Sequence, residues 1–243
     1  SSPVGRASVG GLEAHIALFA EPSSREETRR RACRDAFMLG RRTLDIPQAQ
    51  ELVHDAKRGL VGFAHADGAP ASLPLTGGGL ITGGEEAERL ALLDSLSLLA
   101  REREVLRAPH GASGDIGEAK RLLNHATVLG TNAFVILDDI AALESSDGAS
   151  DLGAVLRNAL AAGACVYGGL KGGSFSRLGS IGPHLARAGC GIVLGAREGE
   201  VFTLFGRTPP RTRWASDPDV AWLVDGADCR LIVPALVRDP RGK

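Results

Sequence analysis

Two adjacent carboxylates, Asp138 and Asp139, follow an unbroken apolar run at residues 134–137, within the stretch NAFVILDDIAAL. An apolar run of this length with a β-branched pair is typical of a strand buried on both faces. In open α/β sheets chemistry gathers beyond the carboxyl ends of the strands, where these aspartates would lie. Paired carboxylates there could hold a divalent cation and orient a water molecule. A core strand that merely ends in two solvated acids fits the same pattern, so an upstream phosphate-binding loop would decide between the two.

A candidate for that loop lies in the stretch GGGLITGGEEAERLALLDSLSLLARERE. Residues 80–82 predict a short strand, Gly83 and Gly84 a turn, and residues 85–102 a helix with a wide apolar face of leucines. Strand, glycine turn and helix is the order of a phosphate-binding loop.

Composition excludes several classes of function. The chain has 243 residues, which fits one α/β domain with additions or two small domains. Its 28 Lys and Arg nearly cancel its 29 Asp and Glu, so no overall charge favours nucleic acid or a membrane surface. The four cysteines are far apart and show no zinc or disulfide spacing, which fits a reducing cytosol. The six histidines are dispersed, and no apolar window approaches eighteen residues.

The remaining patterns predict the surrounding elements. Residues 168–182 read as a Gly/Ser-rich loop, in which Lys171 and Arg177 could bind phosphate, although a flexible surface loop fits as well. No convincing β-run lies between residues 101 and 131. The other predicted elements are an edge strand at 14–19, a helix after the capping box of Ser24 and Glu27, a second helix from Pro47 to about Lys57, a hairpin at 59–75 and a strand at 201–205.

Together, the aspartate-terminated strand and the strand–glycine–helix unit resemble the FtsK/SpoIIIE family of RecA-like motor ATPases. The likeness is strongest to the variant modules carried in tandem by type VII secretion ATPases of the EccC/EssC kind. It implies a three-layer α/β RecA-like P-loop NTPase fold with a mainly parallel sheet, trimmed by a strand. It also implies three regions: residues 1–20 as the tail strand of a preceding module, 21–58 as a helical linker, and 59–243 as a degenerate RecA-like domain.

The resemblance assigns the candidate site. Gly83, Gly84 and Arg89 would line the phosphate turn, and the strand would be the Walker B strand. If the site were active, Asp138 would hold Mg²⁺ and Asp139 would position the attacking water.

The candidate loop departs from the working pattern G-x-x-x-x-G-K-[ST] at three positions. Glu88 stands for its second glycine, Arg89 for its lysine and Leu90 for its hydroxyl residue. A guanidinium does not replicate a compact ammonium, and a leucine binds no metal. The first helical turn also carries Glu85 and Glu86, so acidic groups occupy the place where a triphosphate would dock.

The sequence therefore predicts a non-hydrolytic module that is structural, regulatory or substrate-binding within an FtsK/SpoIIIE-type translocation or secretion ATPase. No cofactor is expected, with ATP and Mg²⁺ as cofactors only if the site is functional. Expected partners are neighbouring ATPase modules of the same chain and a secreted protein or peptide, with an oligomer possible and DNA not indicated by the charge. The expected location is cytoplasmic, within a larger membrane-associated assembly. The alternatives are an active or weakly active ATP-binding translocase and, with no catalytic constellation behind it, a small-molecule enzyme.

Overall fold

The fold is seen in a computed structural model that describes residues 4–9, 12–17, 43–108, 114–173, 179–195, 197–212 and 219–239. Thirteen strands, seven α-helices and a short 3₁₀ turn are present in these ranges. In chain order they are β1 (Val4–Val9), β2 (Leu12–Ala17), β3 (Thr43–Asp45), α1 (Ile46–Val53), β4 (Arg58–Ala64), β5 (Pro70–Pro74), β6 (Gly78–Gly83), α2 (Glu86–Leu99), β7 (Glu104–Arg107), α3 (Ile116–Leu129), the 3₁₀ turn (Gly130–Asn132), β8 (Ala133–Leu137), α4 (Ile140–Glu144), α5 (Ala149–Ala161), β9 (Cys165–Leu170), α6 (Gly182–Arg187), β10 (Cys190–Leu194), α7 (Glu198–Phe205), β11 (Ala221–Asp225), β12 (Asp228–Pro234) and β13 (Leu236–Arg238).

Nine of the strands form one sheet in the order β5-β4-β12-β11-β10-β6-β9-β8-β7. Four of its eight pairings are parallel and join β10, β6, β9, β8 and β7. The other four, from β10 out to β5, are antiparallel. The predicted α/β fold is confirmed, although its sheet is evenly mixed where a mainly parallel one was expected.

Alternation of side chains along the central strands divides the core into two layers. Phe134 and Ile136 of β8 pack with the leucines of α2 on one face. Val135 and Leu137 of the same strand pack with α3, α4 and α5 on the other. Because successive side chains of a strand point to opposite faces, a strand buried on both sides needs no polar alternation. The arrangement has the predicted three layers.

Helix α2 contacts a small two-stranded sheet, formed by β3 and β13, along one of its faces. Strand β13 pairs in parallel with β3. The buried Ser95 of α2 accepts a hydrogen bond from the backbone N–H of Val237 at 2.9 Å. This contact fixes the helix that begins at the candidate phosphate turn.

Most predicted elements are found, with small shifts of their ends. The hairpin predicted at 59–75 is the antiparallel pair of β4 and β5. The helix predicted from Pro47 is α1, with proline in its first turn. The helix predicted after Ser24 lies outside the described residues. The segment predicted as an edge strand at 14–19 overlaps β2, which forms a separate two-stranded sheet with β1.

Two predictions about secondary structure were wrong. Residues 201–205 lie in α7, although Val, Phe and Thr favour strands. Acidic residues in its first turn and the left-handed Gly206 after its end favour the helix. Val201 is buried, whereas Phe202 and Thr203 are exposed, so these residues do not alternate as a buried strand would. Strand β7 lies between residues 101 and 131, where no β-run was expected, so the sheet has a strand at the place where it was predicted to be trimmed. It has only four residues and a charged residue at each end, so its sequence carries little signal.

Candidate functional site

The turn between β6 and α2 has the glycine geometry that the sequence predicted. Gly83 and Gly84 have φ values of +76° and +56°, in the left-handed region that favours glycine. A Cβ on Gly83 would lie 2.5 Å from the carbonyl oxygen of Leu194 in β10. The turn is therefore closed against the neighbouring strand, and a side chain does not fit there.

Arg89 turns back into this loop. Only 8% of its surface is exposed. Its Nη1 donates hydrogen bonds to the carbonyl oxygens of Gly83 at 2.9 Å and Gly84 at 3.0 Å. The cation at the position predicted for a phosphate-binding lysine is therefore bonded to the protein's own backbone.

The N-terminus of α2 is capped by an acid of the same helix. The backbone N–H of Glu85 donates to Oε2 of Glu88 at 3.1 Å. Glu88 stands at the position predicted for the second loop glycine, and its carboxylate is bonded at the helix end that would otherwise face an anion.

Asp138 is paired with a residue that the sequence had not singled out. Arg107, the last residue of β7, donates from Nε to both oxygens of Asp138 at 2.9 Å, and its Nη2 lies 2.7 Å from Oδ1. Its Nη1 also contacts Asp94 of α2. Burial by itself lowers the pKa of Arg107, but its hydrogen bonds and charge interactions with Asp138 and Asp94 outweigh burial and raise that pKa.

Asp139 has a structural contact of its own. It is the N-cap of α4, and its Oδ1 accepts a hydrogen bond from the backbone N–H of Ala142 at 3.0 Å. The side chain that would position water in an active site thus stabilises a helix end.

Glu144, the last residue of α4, is a further acid that bonds to backbone N–H groups near the site. Its two oxygens accept three backbone hydrogen bonds from residues at the start of α6: Ser180 at 3.0 Å, Ile181 at 2.6 Å and Gly182 at 2.9 Å. Asp115 likewise accepts from Gly117 and Glu118 at the start of α3. Each of the four helices that follow β6, β7, β8 and β9 therefore has at least one N-terminal backbone N–H group bonded to a carboxylate of the same chain.

A further acid lies beside the glycine turn. Glu200 of α7 is 5% exposed, and its Oε1 lies 3.2 Å from Nη1 of Arg197. A Cβ on Gly172 would lie 3.1 Å from Cα of Gly83 and 3.2 Å from Oε1 of Glu200, so all three groups meet at the end of β6. Glu200 was not predicted, because the residues after it were assigned to a strand. Arg107 was not predicted either, because no strand was expected at β7.

The predicted site residues fall into two groups. Gly83, Gly84 and Arg89 lie together at the end of β6, and Asp138 and Asp139 follow β8. Strand β9 lies between β6 and β8, so the groups are two strand spacings apart, about 10 Å. Their role in binding a nucleotide stays a prediction.

The other candidates add no second site. Lys171 is exposed, and Arg177 lies outside the described residues. Within the described ranges no three His, Cys, Asp or Glu residues cluster as a metal site. No helix in the same ranges has both the length and the apolar character needed to cross a bilayer.

The pairing of Asp138 with Arg107 gives a first testable prediction. Asp138→Asn removes a carboxylate that is 16% exposed and leaves a half-buried guanidinium with only Asp94. We expect the free energy of unfolding to fall by about 2 kcal/mol. Asp94→Asn is the matched control, because Asp94 is 54% exposed and its loss should cost less than about 1 kcal/mol. Urea unfolding measures both, and equal effects would contradict the burial argument.

Comparison with known proteins places this fold among secretion and conjugation ATPases. No family model and no curated protein sequence matches the chain. The cytoplasmic domain of EssC superposes with a TM-score of 0.58 at 15% identity, over 96% of this chain and 59% of that one. Thermomonospora curvata EccC (ATPases 2 and 3), in complex with a signal sequence peptide, gives 0.60 at 14% identity, over 81% of this chain and 44% of that one. The pCW3 conjugation coupling protein TcpA with ATPγS gives 0.55 at 10% identity, over 81% and 70%.

These similarities show the fold. The chain has the architecture of the RecA-like ATPase domains in type VII secretion proteins, and the predicted resemblance to FtsK/SpoIIIE modules is confirmed at that level. It spans 59% of the EssC chain and 44% of the EccC chain, so it corresponds to only part of each of those solved chains.

Proposed function

We propose that this chain is a non-hydrolytic module of an FtsK/SpoIIIE-type translocation or secretion ATPase. The observation that carries the proposal is that the helix N-termini beyond the parallel strands are bonded to carboxylates of the chain itself. At least one backbone N–H donates there to each of four acids: Glu88, Asp115, Asp139 and Glu144. A nucleotide-binding domain needs one of these ends, that of α2, open to phosphate.

The residues present do not fit a magnesium nucleotide. Leu90 supplies no oxygen where the metal would take a hydroxyl, and Asp138 already has both oxygens bonded to Arg107. Arg89 uses its guanidinium on Gly83 and Gly84. A phosphate charge about 4 Å from Glu88 would add roughly 4 kcal/mol of repulsion at an effective dielectric near 20.

Calorimetry with Mg·ATP tests the proposal. We expect no binding tighter than millimolar for the full chain, and no turnover above background. Micromolar binding, with turnover that Asp139→Asn abolishes, would favour the alternative of an active motor domain, which the retained Asp138 and Asp139 pair keeps open. The control is Asp115→Asn, a capping acid of α3 that has no proposed contact with nucleotide and should change neither signal.

The partner in this proposal is protein. A net charge of −1 gives no attraction for DNA, whose recognition depends on clustered positive charge. We infer that the module contacts neighbouring ATPase modules of the same protein, at the cytoplasmic side of a membrane-associated assembly, or holds a peptide of a secreted protein. The similarity to EccC, solved with a signal sequence peptide, supports the second role by analogy of fold only. Co-purification experiments separate the two roles. The chain should co-purify with an intact ATPase module in the first role and with a secreted peptide in the second.

A further inference from the structure

Arg107 lies where three elements of the candidate site meet. It ends β7, and its guanidinium bridges Asp138, which follows β8, and Asp94, on the exposed side of α2. Of the three side chains, Asp138 is the most buried, at 16% exposure, and Arg107 follows at 29%. A positive group thus lies between two carboxylates that come from separate parts of the chain.

This geometry disagrees with a metal-dependent site in a specific way. Oxygen ligands from carboxylates are what Mg²⁺ and Mn²⁺ prefer. Here the Asp138 oxygens lie 2.7 to 2.9 Å from nitrogens of one guanidinium, so a metal could use them only by displacing Arg107. Displacement would leave a partly buried charge without its partner, which is strongly unfavourable.

We propose that Arg107 is a built-in counter-cation that occupies the position of a divalent metal, and that loss of its charge uncovers a divalent-cation site formed by Asp94 and Asp138. The inference rests on the proposed non-hydrolytic function. It goes further in one respect: the site does not merely lack ligands for a metal, because it contains a fixed cation in place of one. Arg107 then keeps Asp138 neutralised whether or not nucleotide is present.

Manganese titration followed by electron paramagnetic resonance tests this inference on the full chain. Arg107→Met keeps a long unbranched side chain but removes the guanidinium and its charge, and it should bind Mn²⁺ at least about tenfold more tightly than the unmodified chain. Arg107→Lys, which keeps the charge, should behave like the unmodified chain. Adding Asp138→Asn to Arg107→Met should remove the gain.

Two results would overturn the inference: no gain in Mn²⁺ binding by Arg107→Met over the unmodified chain, or a gain that survives Asp138→Asn. If Arg107→Met does not fold, the unmodified chain still gives an answer. The Nε–H signal of Arg107 in a ¹⁵N spectrum, assigned by its loss in Arg107→Lys, should stay unchanged in millimolar Mg²⁺. A shift of that signal would show that metal displaces the guanidinium.

The two proposals fail separately. Tight binding of Mg·ATP to the unmodified chain would overturn the proposed function. The manganese titration and the Nε–H spectrum contain no nucleotide, so they report only on the cation held between Asp94 and Asp138.

Discussion

Gly169→Ala should lower the free energy of unfolding by about 3 kcal/mol or more, because the added methyl group has no room. Gly169 lies in β9, and a Cβ there would be 2.4 Å from the backbone carbonyl oxygen of Asp138. The obstructing atom belongs to the backbone, so it cannot rotate away as a flexible side chain would. Relief requires β8 and β9 to separate at the point where the candidate site begins.

Urea unfolding followed by circular dichroism measures this effect, with Gly199→Ala as the control. Gly199 lies in the first turn of α7, and a Cβ there would meet nothing within 4 Å. The control should be neutral or stabilising by up to about 1 kcal/mol, since alanine favours a helix more than glycine does. If the two variants have the same stability, the close approach of β9 to Asp138 is wrong.

Glu144→Ala should cost about 3 kcal/mol, because three backbone donors lose a charged acceptor at once. Ile181 and Gly182 are buried, so their N–H groups would find little water in compensation. Glu144→Gln keeps one oxygen acceptor but turns an NH₂ group toward backbone donors, and we expect it to recover less than half of the loss.

A graded series of capping acids provides the control for Glu144. Asp139 accepts one backbone N–H and Asp115 accepts two, compared with three for Glu144. Asp139→Ala should cost about 1 kcal/mol and Asp115→Ala somewhat more, within the usual range for a lost cap. Thermal or urea unfolding should rank the three variants in this order, and a smaller effect for Glu144 than for Asp139 would contradict the geometry.

These capping acids also bear on function. A domain that binds a triphosphate keeps donors free at the start of one helix, whereas Glu88 bonds to the donor at the start of α2. Stability and nucleotide binding therefore make opposite demands on the same N–H groups. In the proposed module the protein's own carboxylates bond to these N–H groups, which stabilises the fold and disfavours phosphate.

Sequence reasoning was most reliable where one local pattern decides the structure. The apolar run before Asp138, the glycine pair and the leucine face of α2 were all read correctly, because burial on both faces, positive φ and helical periodicity each leave a direct trace in residue type. It failed at β7 and α7. Four residues with charged ends do not predict a strand. The β-branched residues of α7 mislead because its acidic first turn and the glycine after its end favour a helix.

The residues alone predicted the α/β class, the position of the glycine turn and the departure of Glu88, Arg89 and Leu90 from the phosphate-loop pattern. Only the tertiary structure decided what the remaining charges contact: Arg89 with the Gly83 and Gly84 carbonyls, and Arg107 with Asp94 and Asp138. The reason is the separation in sequence between the residues that interact. Secondary structure depends on residues a few positions apart, whereas the ion pair of Arg107 and Asp138 joins residues 31 positions apart that meet only because β7 and β8 pair in the sheet.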